Sequence, residues 1–188
     1  IGEARAARKL VEFDGVDILL NPAHNYGFYR EWIRGYIGLN NRPIMPSVHG
    51  GAIERTIGGV ADEPLFRGSP MDTAQSVAAV LQAPENGAES IVIVASKLEG
   101  PQLQKDMAVL VADRVGLNVD AVIEIETELG TYQQALTDIP TVNPDAIIVF
   151  TPAFDGGTVV NNLAEMSISA TIIGPSDWGI PEFQTVAT

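Results

Sequence analysis

The chain contains no cysteine. A disulfide framework, a thiolate nucleophile and a Cys-ligated metal are therefore excluded. It has few basic residues: eleven Lys and Arg stand against 24 Asp and Glu, for a net charge of −13 and an isoelectric point near 4.4. An acidic surface argues against nucleic acid or an anionic membrane as a partner. Aromatic residues make up only 6% of the 188 positions. No apolar run approaches the ~20 residues that a membrane-spanning helix needs. Only two histidines are present, His24 and His49, and no carboxylate spacing completes a metal site with them, so no metal is expected. Enzyme motifs are missing too. No GxGxxG follows a strand, and neither GxxxxGK[ST] nor GxSxG occurs. The pairs Gly50-Gly51 and Gly58-Gly59 lack the strand-to-helix context of a phosphate cradle. No cofactor is expected, and the chain is not expected to be an enzyme.

What the chain does have is Gly, Ala, Val and Ile, the composition of an α/β protein with buried parallel strands. Apolar runs of strand length recur at residues 16–20, 43–45, 90–94, 119–125, 146–150 and 170–173. Several lack clean alternation, as strands covered on both faces do. Helical patterns lie between them, over 2–13, 26–39, 72–83, 101–115, 132–139 and 158–166. Phe28, Trp32, Ile33 and Tyr36 stand at helical spacing and read as core; Asp72 or Thr73 suits an N-cap. Strand and helix alternate about every 25 residues, which predicts repeated βα units and a doubly wound parallel sheet. The stretch from His49 to Leu65, with two Gly-Gly pairs, breaks that rhythm and reads as a loop before a short strand at 65–68.

Charge shifts near the same place. Residues 1–71 carry eight basic and eight acidic side chains; residues 72–188 carry three and sixteen. Two Rossmann-like lobes with parallel sheets are the simplest account, with residues 1–71 part of the first and 72–188 the second. The chain opens on an amphipathic helix with no strand before it and no signal-peptide core. It is therefore expected to be a fragment of a longer protein.

Ligands of open α/β sheets sit beyond the C-terminal strand ends. Four such ends are polar here: NPAHNYG, ASKLEGPQ, TPAFDGG and GPSDWG. Asp155 and Asp177 suit an ammonium or sugar hydroxyls, and Tyr26, Phe154 and Trp178 suit a pocket wall. The helices read as starting near Tyr26 and Thr158 offer free N–H groups to an anion. The same residues are also ordinary turn formers, and Asp177 beside Trp178 equally suits an N-cap next to a packed ring.

The order of segments resembles the type I periplasmic solute-binding proteins of ABC transporters, in the branched-chain amino acid (Leu/Ile/Val) receptor group. The resemblance rests on ARAARKLVEFDGVDILLNP, RPIMPSV, LFRGSPMDTAQSVAAVL, SIVIVASKLEGPQLQKDM, NPDAIIVFTPAFDGG and SATIIGPSDWG, which run over nearly the whole chain. FRGSPMD matches the segment that ends the first lobe in that family. The resemblance implies a receptor of two lobes that close by a hinge on a small polar or amino-acid-like solute. It also implies export to the periplasm or cell exterior, often with a lipid anchor, a membrane permease as partner, and a monomer. By position it places Asn25 and Tyr26, with His24 beside them, at the first carboxylate-binding loop, and His49 and Gly50 at the second. It puts Phe154 near a further contact, and Asp177, or Ser176 by a shift of one, at the amino-group partner. The small hydroxyls of the family are mostly replaced here. A larger, aromatic or non-amino-acid solute is thus expected as readily as Leu, Ile or Val. A ligand-sensing regulatory domain of the same fold is the alternative, and an α/β enzyme a more distant one.

Overall fold

A computed structural model describes residues 2–21, 30–40, 45–48, 66–67 and 71–187. The chain divides into two compact units, Ile1–Met71 and Asp72–Thr188.

In the first unit, helix α1 (Gly2–Glu12) precedes strand β1 (Ile18–Asn21), helix α2 (Arg30–Asn40), strand β2 (Met45–Val48) and strand β3 (Phe66–Arg67). The strands form a parallel sheet in the order β1-β2-β3, with Ile18 opposite Met45 and Ser47 opposite Phe66. Ala7 and Val11, one helical turn apart on α1, are buried, as is Leu19 of β1. Trp32 of α2 ties the two helices together. Its indole N–H donates to Glu12 (3.1 Å), the Arg8 guanidinium lies 5.6 Å from its ring centre, and Tyr36 lies 5.9 Å away on the same helix. The stripe expected as core is thus partly so: Trp32 and Tyr36 are half-buried, and Phe28 lies outside the described residues. Strand β2 begins where the sequence reading ended its strand, and β3 is two residues long.

The second unit contains α3 (Asp72–Glu85), β4 (Ser90–Ser96), α4 (Glu99–Val115), β5 (Asn118–Ile125), α5 (Ile139–Val142), β6 (Ala146–Phe150), α6 (Ala153–Glu165), β7 (Thr171–Ile173) and α7 (Pro181–Val186), with a 3-10 turn at Ser176–Gly179. Its four strands are all parallel, in the order β5-β4-β6-β7. Strands β4 and β6 lie in the centre and are buried on both faces, which is why their sequences, SIVIVAS and AIIVF, read as unbroken apolar runs. Ile91, Ile93, Ile148 and Phe150 pack under α3 and α4, against Val80, Ala83, Ala108 and Ala112. Val92, Val94, Ile147 and Val149 face the other way, against Val159 and Leu163 of α6 and Tyr132, Leu136 and Ile139. At the N-terminal edge of the sheet, the Asp145 carboxylate accepts the backbone N–H groups of Glu89 and Ser90 (2.9 and 3.0 Å), holding the start of β4 to the start of β6. Those bonds hold the Asp145 carboxyl below its usual pKa.

Two helices differ from the sequence reading. The stretch 133–138 is a chain of turns, and only Ile139–Val142 is helical. Pro140 has no N–H to donate back to residue 136, so a continuous helix from 132 to 142 would lack a bond. Thr137 further turns its hydroxyl back onto the carbonyls of Gln133 and Gln134. Tyr132, Leu136 and Ile139 still reach the core. Helix α6 begins at Ala153, five residues before the expected start at Thr158. Pro152 precedes its first turn, and the Gly156 N–H already bonds the Pro152 carbonyl (2.9 Å). Phe154 and Asp155 are therefore first-turn helix residues.

Candidate functional site

The chain leaves β4 for β5 on one side of it, then crosses back to β6 on the other. The strand order reverses between β4 and β6, and such a switch point opens a crevice at the C-terminal strand ends. Four loops surround that edge of the second sheet, one after each strand.

Asp155 is 2% exposed. Its Oδ1 accepts the Glu128 N–H (2.8 Å) and the Tyr132 hydroxyl in a short bond. The Tyr132 oxygen in turn accepts the Leu129 N–H (3.2 Å). Burial, reinforced by the Asp155 carboxylate, pushes the Tyr132 phenol up to about 12. Two helical turns on, Asn162 Oδ1 accepts the Tyr132 N–H (2.6 Å) and the Thr131 hydroxyl (3.2 Å). Helix α6 thus clamps the loop after β5 with buried polar groups. Glu128 sits in that loop at φ 59°, a left-handed conformation that a non-glycine residue holds only when its surroundings fix it. Here the fixing bond is its own N–H on Asp155.

Trp178 joins the loop after β7 to α6. Its indole N–H donates to the Thr151 carbonyl (3.3 Å), and its ring stacks on Phe183 with centres 4.5 Å apart. Gly156 and Gly174 lie so close to the indole that neither site has room for a Cβ. Gly157 is closed in the same way by Val186 of α7. Ser176, one of the expected contacts, gives both its N–H and its hydroxyl to Gln75 of α3 (3.1 and 2.9 Å). Asp177 is exposed in the 3-10 turn, and Phe154 is 44% exposed. The expected residues of the second unit are thus gathered at one sheet edge: Phe154 and Asp155 open α6, and Trp178, next to Asp177, packs on that same turn. The expected residues of the first unit, His24, Asn25, Tyr26, His49 and Gly50, lie outside the described residues.

Two further residues were not singled out from sequence. Ser96 ends β4 and Thr151 follows β6; both are buried, and neither side-chain oxygen has a hydrogen-bond partner among the described residues. Ala95 is the register partner of Phe150, so the two residues follow side by side on neighbouring strands. Each unsatisfied buried hydroxyl costs about 1–3 kcal/mol. The available signal was a small hydroxyl residue closing each of the two most apolar runs. The rim above is apolar and acidic. Leu98, Leu129, Phe154 and Ile180, one following each strand, are each 43–44% exposed. Lys97 is the basic residue of these loops, and it bonds Glu126 (2.6 Å), which raises its pKa. Among the described residues no helix is long and apolar enough to cross a membrane, and no three His, Cys, Asp or Glu are grouped for a metal.

No protein-family model matches the chain, and no curated protein matches it. Solved structures do. The leucine-binding protein LivK of Thermotoga maritima is 15% identical with a TM-score of 0.76; the match covers 98% of this chain and 51% of LivK. The branched-chain amino acid substrate-binding protein LivJ of Streptococcus pneumoniae, in complex with isoleucine, is 19% identical (TM-score 0.78), over 98% of this chain and 51% of that one. An ABC-transporter solute-binding protein of Rhodopseudomonas palustris, in complex with 4-hydroxybenzoate, is 14% identical (TM-score 0.74), over 99% and 50%. The chain spans about half the length of the proteins it matches. In fold, it resembles part of a type I periplasmic binding protein, as its order of segments led one to expect.

Proposed function

We propose that the chain is part of a solute-binding receptor of an ABC importer, periplasmic or extracellular and often lipid-anchored in its kind, which binds a small solute without turning it over. In this reading, residues 1–71 belong to the first lobe and 72–188 form the second. Asn25, Tyr26, His24, His49 and Gly50 of the first, and Phe154, Asp155, Asp177 and Ser176 of the second, line or support the ligand site. Ligand contacts favour a closed state by their differential binding energy, and the closed monomer docks on a membrane permease.

The observation that carries the reading is the second sheet's C-terminal edge. Buried hydroxyls without partners among the described residues flank its switch point, and a fixed strained loop and four exposed apolar side chains follow its strands. A fold alone assigns no activity, but ligand sites are concave, mostly apolar and equipped with a few placed polar groups. The solved structures of the same fold include complexes with isoleucine and with 4-hydroxybenzoate. Both classes belong on the test panel.

The test is a thermal-shift screen of the full-length protein against amino acids, aromatic acids, amines, sugars and nucleosides. A ligand at a hundred times its Kd adds about 2.7 kcal/mol of stability. One stabilising chemical class is the expected result. Enzymatic conversion of a panel member would overturn the reading.

A further inference from the structure

Resting on that reading, we propose that Ser96 and Thr151 form the inner seat of the ligand site, and that the seat takes a hydrogen-bond donor, a hydroxyl or an amine, rather than a carboxylate. Three observations support it. The two hydroxyls are 0% and 3% exposed and unpartnered. Their backbones are committed: Ser96 O accepts the Gln102 side chain (3.0 Å), and Thr151 O accepts Trp178. The side chains alone remain to be satisfied. Position is the second observation. By strand alternation Ser96 continues the face of Val92 and Val94, and Thr151 that of Ile147 and Val149. The two hydroxyls therefore close the same layer of the sheet, side by side at the switch point.

Charge is the third observation. The N-termini of α4 and α6, which flank the seat, would by themselves favour an anion. Each already carries a carboxylate in its first turn, Glu99 in α4 and Asp155 in α6. Glu128 and Asp177 lie in the neighbouring loops, and Lys97 and Glu126 offset each other. A ligand carboxylate pushed into this edge would meet like charge with no free cation beside it among the described residues. An amine donates to both oxygens, and a hydroxyl donates to one and accepts from the other, while Leu98, Leu129, Phe154 and Ile180 cover the apolar remainder of the ligand.

The experiment uses three probes of one size on the full-length protein: benzyl alcohol, benzylamine and benzoate, followed by ligand-observed NMR titration. Benzyl alcohol and benzylamine are expected to bind at least tenfold more tightly than benzoate. Ser96→Ala with Thr151→Val is expected to weaken benzyl alcohol at least tenfold. Without any probe, that double variant is expected to melt at the same temperature or higher, because it removes two unsatisfied buried groups. A lower melting temperature would show that the hydroxyls are partnered within the fold and would overturn the proposal. So would benzoate binding as tightly as the alcohol, unchanged affinity in the variant, or no binding of alcohol and amine. The receptor reading fails separately, when no compound of the wider panel shifts the melting of the unaltered protein.

Discussion

The indole of Trp178 fills the space that a side chain at Gly156 would occupy. The contact joins the turn after β7 to the first turn of α6, and Gly174, from the indole's own loop, completes the cradle. Overpacking a closed site typically costs about 1–3 kcal/mol. Gly156→Ala and Gly174→Ala are each expected to lower stability by that amount in urea unfolding. In a Trp178→Ala background the cost of Gly156→Ala should largely vanish, because the overlapping partner is gone. Equal costs in both backgrounds would contradict the contact.

Asp155 gives a second prediction. Removing its carboxylate leaves the Glu128 N–H and the Tyr132 hydroxyl without an acceptor. Each buried donor left unpaired costs about 1–3 kcal/mol. Asp155→Ala is therefore expected to destabilise more than Tyr132→Phe, which leaves one fewer group stranded. Proteolysis of Asp155→Ala should cut first within residues 126–133, the loop that α6 no longer clamps. A variant as stable and as protease-resistant as the wild type would contradict the clamp.

The Tyr132 phenol supplies a pH dependence. Its pKa in the folded protein, about 12, lies above the ordinary value of 10. The folded state therefore holds this proton more tightly than the unfolded chain. The associated stability is fully present below pH 10 and falls away as the pH rises through 12. The wild-type advantage over Tyr132→Phe in denaturant unfolding should shrink across that window. A constant difference would show that the phenol is not buried beside the carboxylate.

How much of this was legible in the sequence depended on whether local pattern or distant contact set each feature. Strands β4 and β6 were legible because burial on both faces writes an unbroken apolar run. The stretch 132–139 read as a helical pattern, but the missing N–H of Pro140 and the back-bonded Thr137 hydroxyl turned its backbone away from a regular helix. Gly156 and Gly157 read as loop residues because glycine weakens a helix; their reason is tertiary, since Trp178 and Val186 need the room. Asp155 was legible as a polar residue at a strand end. Its engagement with Glu128 and Tyr132, more than twenty residues earlier, was not. Ser96 and Thr151 were passed over because a Ser or Thr after a strand looks like a turn former. Only the surrounding fold reveals that their hydroxyls are buried with nothing to bond.

The most direct measurement is a calorimetric titration of the full-length protein with the compound that shifts its melting most, followed by recovery of that compound. The account predicts saturable binding at one site per chain and recovery of the ligand chemically unchanged. No binding heat from any panel class, or recovery of a converted product, would contradict a receptor.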